Sequence, residues 1–281
     1  KSFFHNFAKV WNIFESNAVF EDIFCIFARK NAPKAKKKLK YQRMSKGNSK
    51  KITVGKVFKW IGIVILSYIV LTVSLTALYT VVNPPITFLM VQRCFQQAFD
   101  DNREVRLEKD WVSFEEISPN MVKAVMAAED NRFKTHNGFD FEEIKRARED
   151  AKRTGKRPRG ASTISQQTAK NVFLWNGRNY LRKGLEVYQT VLIETFWSKR
   201  RIMEVYLNVI EFGDGIYGVE AASQHYFGKS ANKLTKRQAA LLASALPNPL
   251  KRNPASPNRK LNRKADRVMF LMNKVGSADL E

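Results

Sequence analysis

Glu129 interrupts an apolar row. Val122, Val125 and Met126 recur at i, i+3 and i+4, and Glu129 falls at i+7 of the same helical stripe. A carboxylate on a core-facing row is partly desolvated, which disfavours its charged form and raises its pKa, as a general base near neutral pH requires. A helix-end side chain turned to solvent satisfies the same spacing. Glu186 is set differently, one turn beyond Arg182 and Lys183. Those cations hold it ionised, or form no more than a helical ion pair of small energy. Between the two acids runs Gly160-Ala-Ser-Thr-Ile-Ser-Gln-Gln167, with Lys170 on the next turn. Ser162 and Thr163 at a helix start, followed by Gln166, Gln167 and Lys170, gather free N–H groups, hydroxyls and a cation, which suits an anion. Negative charge developing on a group held there would be offset by cations, and Lys170, Arg178 and Lys183 supply them. One acid must then move a proton while the other stays charged, so their environments should push their pKa values apart.

Helices must position these groups. Ser118-Pro119 reads as an N-cap with proline in the first turn, opening the stripe that ends at Glu129. A long amphipathic helix is expected from Tyr180, Leu181, Gly184, Leu185, Tyr188, Val191, Leu192, Thr195 and Phe196. Ile202, Val205, Tyr206 and Val209 form another stripe, Thr235 with Gln238 a capping box, and Ser256-Pro257 the start of a last helix. Thr154–Gly160 is a basic Gly/Pro loop expected to move. No run of alternating strand residues is visible, so the class is mainly α.

The chain has 281 residues, 44% of them hydrophobic and 12% aromatic, which excludes a charged disordered tail as the whole molecule. Its length supports one or two domains. A formal charge of +23 calls for an anionic partner: nucleic acid, phospholipid or a phosphate-bearing substrate. Thirteen Lys and Arg, with no acid, lie between Arg29 and Lys59, directly before the uncharged run Trp60–Val82. A run of roughly 20 apolar residues spans a bilayer as a helix, and Asn83-Pro84-Pro85 stops it. A buried helix of a soluble core is the competing reading; a cleaved signal peptide fits poorly, the run being too long and too far from the start. The positive-inside rule puts 1–59 in the cytoplasm and 83–281 outside, with 60–82 in an inner membrane. The basic block is thus a topology signal and a contact for anionic lipid rather than for nucleic acid. Residues 1–28, rich in Phe, form either an amphipathic helix pair on the inner leaflet or a cytoplasmic appendage. Ile86–Val91 is too short to span, and either dips into the outer leaflet or packs in the core. Cys25 and Cys94 build no disulfide framework, and no zinc-type cluster is present. The start at Lys1 points to a fragment or trimmed beginning.

Five ordered motifs carry a resemblance. Glu129-Asp-Asn-Arg-Phe133 with His136-Asn-Gly138, Gly160–Gln167, Arg182-Lys-Gly-Leu-Glu186, Arg201-Ile-Met-Glu-Val-Tyr-Leu-Asn208, and Gly218-Val-Glu-Ala-Ala222 with Tyr226-Phe-Gly-Lys229 resemble those of the family 51 peptidoglycan glycosyltransferases. The likeness covers about Asn83 to Val275, and the end at Glu281 resembles the monofunctional biosynthetic form. It implies a single transmembrane helix, then a lysozyme-like α-helical glycosyltransferase domain with a smaller membrane-associated jaw lobe. It implies polymerisation of lipid II, the growing glycan on undecaprenyl pyrophosphate being passed to the 4-hydroxyl of an incoming lipid II. Glu129 is then the general base, and Glu186 assists near the pyrophosphate. Asp130, Ser162, Thr163, Gln166, Gln167, Lys170, Arg178, Arg182 and Lys183 bind substrate, Phe133 shapes the acceptor side, and His136 holds the motif turn. Leu185 stands where some members carry a further Lys.

No cofactor is essential by this reading. A divalent cation, Mg or Mn, at Glu186 is left open, since no dedicated cage is visible. Partners are lipid II, nascent glycan and membrane lipid, with penicillin-binding or division proteins as candidate protein partners and no nucleic acid. A membrane-bound lysozyme-like enzyme that cleaves glycan is the nearest rival, because two acids serve hydrolysis as well. A catalytically silent membrane scaffold is the rival from another class. The phosphate-suited pocket opposes the first, and the intact pair of acids opposes the second.

Overall fold

The computed structural model describes residues 54–156, 160–177 and 179–280. The expected helix pair within 1–28, most of the basic block, Cys25, Arg178 and part of the Gly/Pro loop lie outside these residues. The first element, α1 (Val54–Leu78), is the expected apolar helix. Its segment Gly55–Leu78 is long and apolar enough to cross a membrane, with a mean hydropathy of 2.4. Only 11% of that window is buried, which excludes a core helix of a soluble protein. The helix starts and ends earlier than the uncharged run 60–82. Lys56 and Lys59 lie in its first turns, where long cationic side chains reach back to the interface. After Leu78 the chain tightens through Thr80 N–H to Ala77 O (3.2 Å) and Val81 N–H to Leu78 O (3.1 Å). Pro84 then keeps Asn83 out of the helical region.

Next comes α2 (Phe88–Ala98), whose Thr87 cap accepts from Met90 N–H. Leu89, Met90, Cys94 and Ala98 are buried, so the Ile86–Val91 stretch packs largely inward, with Phe88 left exposed. The remaining helices are α3 (Pro119–Glu129), α4 (Phe141–Thr154), α5 (Ile164–Phe173), α6 (Tyr180–Phe196), α7 (Lys199–Val209), α8 (Val219–Phe227), α9 (Lys236–Ala245) and α10 (Arg259–Met272). One apolar core joins all of these but α4: α9 lies on α3 and α10, while α5 lies against α6 and α7. The α7 stripe is fully buried, and Ile202, Met203 and Val205 each gain about 1.5–3 kcal/mol from leaving water. Ser118 caps α3 ahead of Pro119, and Thr235 with Gln238 closes the capping box of α9, as the spacing predicts.

One expectation needs correcting, and two features go beyond the sequence reading. A small sheet exists: β1 (Glu108–Lys109), β2 (Glu211–Gly213) and β3 (Ile216–Tyr217), in the order β1-β3-β2. β1 runs parallel to β3, pairing Glu108 with Ile216, and β2 runs antiparallel to β3 across a bulge. Strands of two or three residues are too short to show alternation. The last helix opens at Arg259 rather than after Ser256, because the Asn258 side chain takes the cap by accepting from Leu261 N–H at 2.9 Å. Finally, α6 is the expected amphipathic helix, and its apolar face is the exposed one. Its buried residues are Glu186, Gln189, Thr190 and Ile193, while Tyr180, Leu181, Val187, Val191 and Phe196 are exposed. Its apolar stripe looks away from the core, on the side where α1 leans, with Tyr188 OH 3.0 Å from Thr72 Oγ1.

Candidate active site

Two clefts meet at Ser162, which lines both. The first, about 590 Å³, is lined by Glu129, Asp130, Asp140, Glu143, Arg146, Ser162, Thr163, Lys264 and Arg267 among others. The second, about 520 Å³, holds Gln166, Gln167, Lys170, Arg182, Lys183 and Glu186, with Arg93, Glu211 and Asn248. The two glutamates thus stand in adjoining clefts with the α5 start between them.

Glu129 is the last residue of α3. Its Oε2 accepts from Gln167 Nε2 at 3.0 Å, and the Tyr206 hydroxyl donates to Gln167 Oε1 at 3.3 Å. Burial pushes its pKa above the usual carboxylate range, opposed by the Gln167 hydrogen bond and by the charges of Lys264 and Arg252. The apolar row therefore does what its spacing implies, and the solvent-turned alternative falls. Lys264 and Arg252 both donate to Ser244 O, at 3.3 and 2.7 Å, which fixes their charges behind the acid. Neither appears in any local pattern with Glu129, which is why sequence reasoning misses them.

Glu186 is buried and receives Arg182 Nη1 at 2.7 Å and the Lys183 ammonium. Lys170 lines the same cleft, its pKa lowered by burial and held up in part by Glu186. The expected residues then divide. Ser162, Gln167, Lys170, Arg182, Lys183 and the two acids are brought together. Thr163 and Gln166 line the clefts, yet their polar atoms close the α5 capping box, and the Thr163 hydroxyl also donates to Gly138 O at 2.7 Å. Asp130 turns inward, accepting from Ile164 N–H at 3.0 Å and from His136 Nε2 at 2.9 Å. His136 thus holds the turn, as expected. Phe133 is buried, 1% exposed, beneath the Lys199 ammonium 4.8 Å from its ring centre, and lines neither cleft. Arg178 lies outside the described residues.

A polar hub backs this turn. Lys199 Nζ donates to both Glu194 oxygens, at 2.8 and 2.9 Å, and to His136 O at 2.6 Å, and the Ser165 hydroxyl also donates to Glu194. The turn after Glu129, the start of α5, the end of α6 and the start of α7 are fastened in one place. Among the described residues, no group of three or more His, Cys, Asp or Glu forms a metal cluster.

A family model described as Transglycosylase matches residues 96–273. A biosynthetic peptidoglycan transglycosylase of Bdellovibrio bacteriovorus is 55% identical over 191 residues, covering 68% of this chain and 76% of the relative. One of Bacteroides thetaiotaomicron is 47% identical over 225 residues, covering 80% and 90%. One of Shigella boydii is 50% identical over 200 residues, covering 71% and 83%. With a matched region that takes in Glu129, Glu186 and the α5 start between them, the chain belongs to the transglycosylase family.

Proposed function

We infer that this chain is a membrane-bound peptidoglycan glycosyltransferase that polymerises lipid II into glycan strands. The single observation that carries the chemistry is the pairing of a desolvated glutamate, hydrogen-bonded to Gln167, with a cation-lined cleft one helix start away. In the reaction, Glu129 takes the proton from the acceptor 4-hydroxyl. The freed oxygen forms a bond to the anomeric carbon of the donor glycan, the carbon–oxygen bond to the diphosphate breaks, and undecaprenyl pyrophosphate departs. Lys170, Arg182 and Lys183 meet the charge that develops on the departing oxygen. Glu186 keeps Arg182 and Lys183 in place. Asp130, Thr163 and Gln166 act by shaping the α5 start on which Ser162 and Gln167 sit, and Phe133 acts from beneath the turn rather than on the acceptor itself. A cationic cleft for a diphosphate has no part in glycan hydrolysis, so the cleaving alternative is not favoured.

No obligatory metal belongs to this proposal. Both Glu186 oxygens already accept from cations, and a carboxylate so engaged does not fit a divalent ion, which takes several oxygen ligands. The expected outcome is polymerisation that persists under a chelator. The proposed arrangement has the chain before the helix Gly55–Leu78 cytoplasmic, that helix as the span, and the chain after it outside. Penicillin-binding or division proteins are the proposed protein partners. The test is polymerisation of labelled lipid II by the detergent-solubilised chain beside Glu129→Gln and Glu186→Gln. A folded Glu129→Gln that still makes polymer at the wild-type rate overturns the base assignment. Wild type that shortens preformed glycan but leaves lipid II intact overturns the transferase.

A further inference from the structure

Arg93 and Glu211 reach the second cleft from elements that carry none of the motif residues lining it. Arg93 stands on α2 and Glu211 opens β2, 118 residues away. The small sheet is what brings them together. Nε and Nη2 of Arg93 both donate to Glu211 Oε2, at 3.3 and 3.2 Å, and Nη1 donates to Gln96 Oε1 at 3.0 Å. The Tyr217 hydroxyl approaches Glu211 Oε1 at 3.5 Å. Glu211 is 6% exposed and the Arg93 side chain 16%, so both charges are largely out of water.

Among the described residues, the cleft is lined by the cations Arg93, Lys170, Arg182 and Lys183 and by the carboxylates Glu186 and Glu211. Arg182 and Lys183 both close on Glu186. Glu211 is a second negative charge in a cleft that must receive an anion, and burial already pushes its pKa up. A buried ion pair of this kind is weak evidence for stability, and an apolar pair of the same volume often does as well. The Glu211 charge also reaches across to Lys170 and raises its pKa against burial. A guanidinium carries five N–H donors in a planar fork. Three of them are engaged among the described residues, which leaves two for phosphate oxygens.

We propose that Arg93 is a further diphosphate-binding residue of this cleft, and that Glu211 is its positioning residue. By sharing the guanidinium, Glu211 sets how tightly the departing diphosphate is held and therefore how fast the cleft is cleared. The proposal rests on the transferase reading. Without the Glu211 charge the guanidinium is shared less, so binding strengthens while release slows.

The test uses the full chain in detergent, with inorganic pyrophosphate as the probe in calorimetry and lipid II as the substrate in steady-state kinetics. Glu211→Gln keeps an acceptor for Arg93 and is expected to bind pyrophosphate on the order of tenfold more tightly, with KM and kcat both lowered. Arg93→Met is expected to bind it on the order of tenfold more weakly, and Arg93→Lys to recover part of the loss. Pyrophosphate binding that does not strengthen in folded Glu211→Gln, or does not weaken in folded Arg93→Met, overturns the proposal. Pyrophosphate titration reads the pair even in a chain that leaves lipid II untouched, so a failure of the transferase reading shows separately, in the wild-type kinetics.

Discussion

Burial at the end of α3 disfavours the charge on Glu129, and that charge is the one the reaction needs. Its folded pKa lies above the unfolded value, so the group favours folding below the unfolded pKa and loses that contribution as pH rises through the folded one. Glu129→Gln is therefore expected to melt higher than wild type at about pH 8 and to match it at about pH 4, while losing roughly 10²–10⁴-fold in polymerisation. Equal melting temperatures at both pH values would show that the carboxylate is not destabilised. The acid limb of kcat/KM should lie above the ordinary carboxylate range. Lys264 pulls the Glu129 pKa down, so Lys264→Met should move that limb to higher pH; a limb that stays put denies the coupling. At this scale the sequence is informative wherever chemistry is local. Glu129 on its stripe, Glu186 beside Arg182 and the run from Ser162 to Lys170 all lie within a few helical turns. Lys264, Arg252, Arg93 and Glu211 are not legible, because only tertiary packing brings them to the clefts.

At the scale of elements, most caps carry over from sequence, the start at Ser256 excepted, since a side chain two or three residues from its N–H partner needs little else. Ser118, Thr235 with Gln238, and Thr163 with Gln166 all close as their spacing implies. The facing of α6 does not carry over, because an apolar stripe announces an apolar neighbour without saying whether that neighbour is core or lipid. Beside a membrane-crossing α1, the exposed row Tyr180, Leu181, Val187, Val191 and Phe196 suits lipid, and the buried face is left free to carry Glu186. The turn after Glu129 depends on one glycine. Gly138 has φ +84, and a Cβ there would stand 2.8 Å from Thr190 Cγ2 on α6. Gly138→Ala is expected to cost about 1–3 kcal/mol of stability from backbone strain, with the clash added. Thr190→Ser removes the methyl and should return the Thr190 part of the clash, leaving the contact with Glu194 Cγ at 3.0 Å. Denaturant unfolding of both variants checks this, and an unaltered Gly138→Ala midpoint denies that the turn is so constrained.

Across the whole molecule, the exit of α1 is fastened to the domain rather than tethered. Trp197 Nε1 donates to Thr76 O at 2.8 Å, and Arg201 donates to Tyr79 O and Val82 O at 3.0 and 2.9 Å. Lys109 Nζ donates to Pro84 O and Pro85 O, both at 2.8 Å, and Trp111 lies within 5.3 Å of Lys109 and 5.6 Å of Arg201. Arg201 belongs to the fourth motif, yet it lines neither cleft; it grips the chain that leaves the helix. Burial lowers the Lys109 pKa to about 8. Since its folded value lies below its unfolded one, stability from this group rises with pH from the folded value towards the unfolded one, and at neutral pH the buried ammonium opposes folding. Its two hydrogen bonds fasten the domain to the segment that leaves α1. Lys109→Met is accordingly expected to leave the melting temperature at about pH 7 unchanged or higher, yet to slow polymerisation in lipid vesicles more than in detergent. Combining it with Arg201→Met should deepen the vesicle defect, because the two cations hold opposite ends of the same segment. A variant pair as active as wild type in vesicles would mean that the clefts find their substrate without a fixed span. Equal losses in detergent and vesicles would mean that the cations support the fold alone.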